Sequence, residues 1–200
     1  MRAHGWAGNP PANPSEARSR ILTATRERLA EAGTTNTAEV AERVGVTRQT
    51  VYRYFPTTEE LLNAAANHAV SELVSQLVEH VRSHLADTGG DAGDAAVEAV
   101  AFAFENLRDD PALNRLLTPG RMSGTVAGLT SDASIHLGRE LITDFGIDWA
   151  ALGWDEDKQS ELVEHLLRTL QSLVLDPGDP PRSGTELRAY LQRWLAPALR

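Results

Sequence analysis

Arg48, Gln49, Thr50, Tyr52, Arg53 and Tyr54 crowd hydrogen-bond donors and aromatic rings into one short stretch with no acid in it. Arginine matches the O6/N7 edge of guanine and glutamine the N6/N7 edge of adenine, so Arg48 and Gln49 are suited to reading bases. Tyr52, Arg53 and Tyr54 are suited to holding phosphates, and Tyr52 could also touch a thymine methyl. This is the chemistry of duplex recognition, not of turnover. Cysteine is absent, which removes thiol catalysis, disulfide frameworks and zinc fingers together. The six histidines are scattered, no glycine-rich phosphate loop follows a strand, and no strand pattern is convincing, so an enzyme is not expected. His80 and His84, spaced i and i+4, could chelate a metal, but no third ligand lies nearby. Neither a metal nor a cofactor is expected.

A donor face of this kind works only on a helix held proud of a compact support. Ala41, Gly45 and Val51 have the types such a support needs. A small residue lets two helices approach, glycine takes the turn, and a β-branched residue plugs the angle between them. Asn36 with Glu39 predicts a capping box for the first of the two helices, and Thr47 predicts a cap for the second, which runs to Tyr54. Ile21, Leu22, Thr25, Leu29 and Ala32 line one side of a preceding helix over 15–32, ended by Gly33. Thr57 with Glu60 opens a long fourth helix reaching about Ala86.

These motifs, Glu31-Ala32-Gly33, Asn36 to Ala41, Gly45-Val46-Thr47, Tyr52 to Phe55 and Thr57-Thr58-Glu59-Glu60-Leu61, resemble the DNA-binding domain of the TetR (tetracycline-repressor) family. The likeness covers about the first third of the chain. It implies an all-α protein, with a three-helix helix-turn-helix DNA-binding domain joined to a C-terminal helical domain for ligand binding and dimerisation. It also implies operator contacts at Asn36, Thr37, Thr47, Arg48, Gln49, Thr50, Tyr52, Arg53 and Tyr54. Thr58 stands where the family usually has a lysine, so a mobile charge for a phosphate is replaced by one hydroxyl.

The formal net charge of −9 argues at first against a nucleic-acid partner. Residues 17–56, however, hold seven arginines against four glutamates, a net of +3, which leaves −12 on residues 57–200. A basic module on an acidic body presents one end to phosphate. Arg18 and Arg20 are open to two readings, phosphate contact or simple solvation. No apolar run approaches the length of a membrane span, and a cytoplasmic protein is expected.

Residues 1–14 are rich in proline, glycine and asparagine and read as a disordered tail, leaving 15–62 as the DNA-binding domain and 63–200 as the effector and dimerisation domain. A helix over about 94–108 is apolar nearly all round and should be buried. A short helix at 112–117 and an irregular segment to Gly128 follow, then helices over about 131–145 and 155–175. The last helix carries Leu187, Tyr190, Leu191, Trp194 and Leu195. By resemblance, the helices after the head enclose an effector pocket, for which His80, His84, Phe102, Phe104, Leu107, Met122, His136 and Trp149 are the candidates. The stripes Leu162, Leu166, Leu170, Leu173 and Leu187, Leu191, Trp194, Leu195 fit a four-helix dimer bundle, unless both are consumed inside one subunit.

The reading is a one-component repressor that binds a pseudo-palindromic duplex operator as a homodimer and is released by a small molecule. Two rivals stand beside it. One is a helical effector-binding module with weakened or lost operator binding. The other is a non-specific architectural DNA-binding protein, which would want a far more basic chain.

Overall fold

The computed structural model describes residues 5–110, 112–113 and 130–199. They fall into two compact units: one runs to Ser71 and takes in the segment from Asp110, and the other comprises Glu72–Asp109 and the chain from Thr130 onward. The helices are α1 (Pro14–Ala32), α2 (Thr37–Val44), α3 (Arg48–Tyr54), α4 (Thr58–Thr88), α5 (Ala92–Asp109), α6 (Asp132–Thr143), α7 (Glu156–Leu175) and α8 (Gly184–Trp194), with 3-10 turns at Trp6–Gly8 and Ala196–Leu199. No strand occurs among the described residues. The protein is all-α, with an N-terminal helix-turn-helix unit and a C-terminal helical unit.

The first unit begins where local chemistry places it. The Asn13 side chain accepts from the Glu16 amide at 2.9 Å and Pro14 opens α1. Asn36 Oδ1 accepts from the amides of Ala38 and Glu39, Thr47 Oγ1 from Thr50, and Thr57 Oγ1 from Glu60. Gly45 sits at φ 76°, ψ 36°, a left-handed turn in which its amide and that of Val46 close the end of α2. Around this frame, Ile21, Leu22, Val40, Ala41, Val51, Phe55, Leu61 and Ala65 form one core. Ala41 and Val51 are buried at the approach and at the angle, as their types require. A second patch joins Leu29, Ala66 and Ala112, with Leu62 against it. Asp110 fixes this patch: its Oδ1 accepts from the amides of Ala112 and Leu113 at 2.8 and 3.0 Å, and its Oδ2 takes the Arg26 guanidinium. Burial pushes the Asp110 carboxyl up, but those amides and Arg26 outweigh it and hold it below its ordinary value.

The expected tail over 1–14 is not free from Gly5 onward. The Trp6 amide donates to Gly45 O at 2.8 Å, its ring packs on the helix-turn-helix core, and Arg20 donates to Asn9 O at 2.6 Å. The proline and glycine content that suggests disorder here serves a turn laid flat against another turn. Residues 1–4 lie outside the described residues, as does most of the short helix expected at 112–117, of which Ala112 and Leu113 are helical.

In the second unit, α5 is the axis. Ala92, Gly93, the whole run from Ala95 to Ala101, Ala103 and Phe104 are buried, as an all-round apolar helix predicts. It packs on α7, α8 and the C-terminal turn, while α6 packs on α7. Alanine dominates its surface and lets these neighbours come close. One acid lies within its buried run: Glu98 is 4% exposed. Arg188 grips that carboxylate with two bonds of 2.7 and 3.0 Å, and His80 Nε2 lies 3.1 Å away. Arg188 also reaches Glu105, which in turn accepts from the Gly184 amide at the start of α8. Burial pushes the Glu98 carboxyl up, yet the Arg188 and His80 hydrogen bonds and the Arg188 charge outweigh it, leaving it below its ordinary value. A buried charge survives here because it is paired on both oxygens.

Candidate nucleic-acid interface and cavity

On α3, Arg48, Gln49, Tyr52 and Arg53 are exposed, while Val51 points into the core. Thr47, Gln49, Thr50, Tyr52 and Arg53 bound an open depression along that face. Tyr52 is 48% exposed, a large ring left in water. Arg53 stacks 5.2 Å over the Tyr54 ring, and its Nη2 lies 3.5 Å from the Tyr54 hydroxyl. Arg48 and Gln49 have no protein partner among the described residues. Their donors are available to an incoming base edge.

The other arginines of this unit are spent. Arg43 pairs with Glu27 and Glu31, Arg28 with Glu31 and Glu39, Arg20 with Glu16, and Arg26 with Asp110. Arg18 is exposed at the start of α1, donates to Tyr54 O at 3.1 Å and stacks 4.5 Å over Phe55. It thereby closes the C-terminal end of α3 against α1. Among the arginines of residues 17–56, Arg18, Arg48 and Arg53 have no carboxylate partner among the described residues, and Arg48 and Arg53 stand on α3, where a duplex would need them.

Five of the residues expected at the operator have their side chains engaged within the protein. Asn36 caps α2, and its Nδ2 donates to Glu39 Oε1 at 2.9 Å. Thr37 is buried, with its hydroxyl 3.3 Å from that of half-buried Thr58. Thr47 Oγ1 caps α3 and lies 2.9 Å from the Thr50 hydroxyl. The turn at Trp6–Gly8 is the feature that sequence reasoning missed. It abuts Gly45 so closely that a Cβ there would lie 2.8 Å from the Ala7 amide nitrogen, and Trp6 and Ala7 both take positive φ, 70° and 50°. The one available signal was a tryptophan amid otherwise polar, small residues.

The second unit contains a cavity of ≈ 90 Å³ walled by Leu77 of α4, Ala99 and Ala103 of α5, Gly138 and Phe145, and Leu166 and Leu170 of α7, among others. None of the expected pocket residues lines it. His80 is turned to Glu98 and stacks on Phe102 at 4.5 Å. His84 and Leu107 are half-buried away from it. Phe104 is core, and Trp149 is core with its Nε1–H donating to Ile142 O at 3.0 Å. His136 stands in solvent, 3.5 Å from Glu140. Met122 lies outside the described residues. Aromatic and titratable character does not mark this space, which is left by the short side chains of Ala99 and Ala103. No cluster of metal-ligating side chains occurs among the described residues.

The expected dimer stripe is corrected in the same way. Leu187, Leu191 and Leu195 are 0%, 1% and 3% exposed, packed within their own unit, and Leu162 is likewise core. Leu166 and Leu170 line the cavity, and Leu173 packs partly against the core. The periodicity was real, but α5 consumes it. Of the residues in the stripe only Trp194 is open, at 69%, and α7 adds exposed Val174 and Leu175.

Residues 21–65 match the family described as bacterial regulatory proteins, tetR family. No curated protein matches the chain. Among solved structures it is similar to the TetR family repressor AlkX from Dietzia sp. strain DQ12-45-1b, implicated in biodegradation of n-alkanes, with a TM-score of 0.61 at 20% identity over 96% of this chain and 97% of that one. It is also similar to the fatty acid degradation regulator FadR from Bacillus halodurans, with a TM-score of 0.60 at 18% identity over 94% and 97%. A transcriptional regulator of the TetR/AcrR family from Thermobifida fusca YX-ER1 gives 0.57 at 21% over 92% and 98%. At these identities the likeness shows a shared fold.

Proposed function

We propose that this chain, which belongs to the tetR family of bacterial regulatory proteins, is a ligand-responsive transcriptional repressor that binds a pseudo-palindromic operator as a homodimer. The observation that carries the reading is the acid-free face of α3. Arg48, Gln49, Tyr52 and Arg53 stand open on a helix whose support uses up the remaining arginines of 17–56. Free arginine and glutamine donors on an exposed first turn are what major-groove readout requires. A single head covers only a few base pairs, so a second copy is needed for useful specificity. The exposed Val174, Leu175 and Trp194 of α7 and α8 support pairing through the outer sides of those helices.

The second unit supplies the response. A small molecule in its cavity stabilises a form with lower operator affinity, and the coupling is reciprocal: operator lowers affinity for the ligand by the same factor. The function is regulatory, not enzymatic, and exercised in the cytoplasm. No helix among the described residues is long and apolar enough to cross a membrane. Selection of bound fragments from the host's genomic DNA tests the reading. Recovery of a two-fold related consensus that vanishes with Arg48→Ala/Gln49→Ala is the expected result, and recovery of random fragments would replace it with non-specific binding.

A further inference from the structure

We infer that the cavity of the second unit takes an uncharged, apolar molecule or the apolar end of one; this rests on reading that unit as the effector domain. Its wall holds aliphatic side chains and the Phe145 ring, with no acid, base, amide or hydroxyl among them. Ala99 and Ala103 lie in the interior of α5 and Gly138 in that of α6, so their peptide groups are taken up by the helical ladders. A ligand therefore meets no free donor or acceptor on these walls.

The charges nearest in sequence to the wall are already satisfied. Glu98, adjacent to Ala99, has both oxygens on Arg188 and one also on His80. Arg188 shares its remaining donors with Glu105. An anion or a cation entering the cavity would have to abandon water without a counter-charge. A neutral apolar group loses nothing of the kind and gains burial of the surface that enters.

Size follows from the walls. A volume of ≈ 90 Å³ is smaller than the roughly 150 Å³ of a cavity that holds benzene, so the part of a ligand that enters is a chain end of a few carbons. One wall is rigid: a Cβ on Gly138 would lie 2.4 Å from Val163 Cγ1, so α6 and α7 already touch there. The space is left by the short side chains of Ala99 and Ala103, and a longer side chain at either would occupy it.

The test uses the full chain and three probes of one length: n-hexane, hexanoate and hexylammonium. Binding is read by the shift in thermal unfolding and by methyl chemical-shift changes, and operator release is read separately on a selected genomic fragment. n-Hexane is expected to bind saturably, with the two ions weaker by about tenfold or more. Ala103→Leu is expected to abolish hexane binding, and Ala99→Val serves if that variant does not fold. Equal binding of either ion, no binding of hexane, or hexane binding undiminished in a folded filled variant would each overturn the inference. Hexane binding without operator release would leave the ligand class standing and remove the effector reading instead.

Discussion

The hydroxyls of Thr37 and Thr58 lie 3.3 Å apart, joining the first residues of α2 and α4 side chain to side chain. Thr37 is buried and Thr58 half-buried, so this bond sits under the two helix starts and away from bulk solvent. Thr58→Val keeps the shape and removes the bond; it should cost the head about 1 kcal/mol in urea unfolding. Thr58→Lys swaps the hydroxyl for a mobile charge. If the start of α4 faces a phosphate, log K against log [salt] steepens by about 0.9 per subunit with the preferred sequence unchanged. Parallel salt slopes for wild type and Thr58→Lys would show that α4 does not face the backbone.

Arg48 and Gln49 are expected to read bases, and Arg53 to hold phosphate. Arg48→Ala and Gln49→Ala should each cost about 1–3 kcal/mol on the cognate site and relax preference at one position per half-site. Arg53→Ala should weaken all sequences alike and flatten the salt dependence. Binding-site selection on the variants checks the division of labour; an unchanged consensus for the Arg48/Gln49 double variant would sink it.

Gly45 is constrained twice, by a left-handed backbone and by the Ala7 amide pressed against it. Gly45→Ala should destabilise the head by about 2–3 kcal/mol, of which the backbone accounts for about 1–2. Removing residues 2–12 should relieve the remainder, because the strap is then gone. A double-mutant cycle by chemical unfolding measures this coupling, and strictly additive losses would mean that the strap yields freely.

Glu98 carries the pH dependence of the second unit. Its folded-state value lies below the ordinary 4.5. A depressed carboxyl contributes stability that is present above its unfolded value and lost as pH falls through the folded one. Glu98→Gln should therefore cost about 2–3 kcal/mol near neutrality, less than for a fully buried pair because Arg188 keeps Glu105. The gap between wild type and variant should narrow as pH drops below about 4.5. Thermal unfolding across that range checks it, and a constant gap would assign the loss to packing.

Leu191 and Trp194 should now behave oppositely. Leu191→Asp puts a charge at a site 1% exposed and is expected to unfold the second unit. Trp194→Asp, at 69% exposure, should leave the fold intact and dissociate the dimer. Sedimentation combined with circular dichroism separates the two; a dimeric, folded Trp194→Asp would move the interface elsewhere.

Wherever a signal is spent within a few residues, the chain alone determined the outcome. Asn36, Thr47, Thr57 and Asp155 cap helices because a side-chain oxygen three residues from an amide has no other geometry to satisfy. Gly45 turns and Val51 plugs for equally local reasons, so the helix-turn-helix and the exposure of Arg48, Gln49, Tyr52 and Arg53 on α3 were legible. The tertiary structure decided everything that depends on which distant element claims an apolar face. Leu187, Leu191 and Leu195 have a periodicity that suits a partner subunit or the subunit's own core equally well, and only the presence of alanine-rich α5 consigns them to the core. Glu98 and Arg188 meet across 90 residues of sequence, and Trp6 finds Gly45 across both α1 and α2. The cavity is the extreme case. It is made of absent side-chain volume at Ala99 and Ala103, and no single helix records a space that exists only once its neighbours are packed around it.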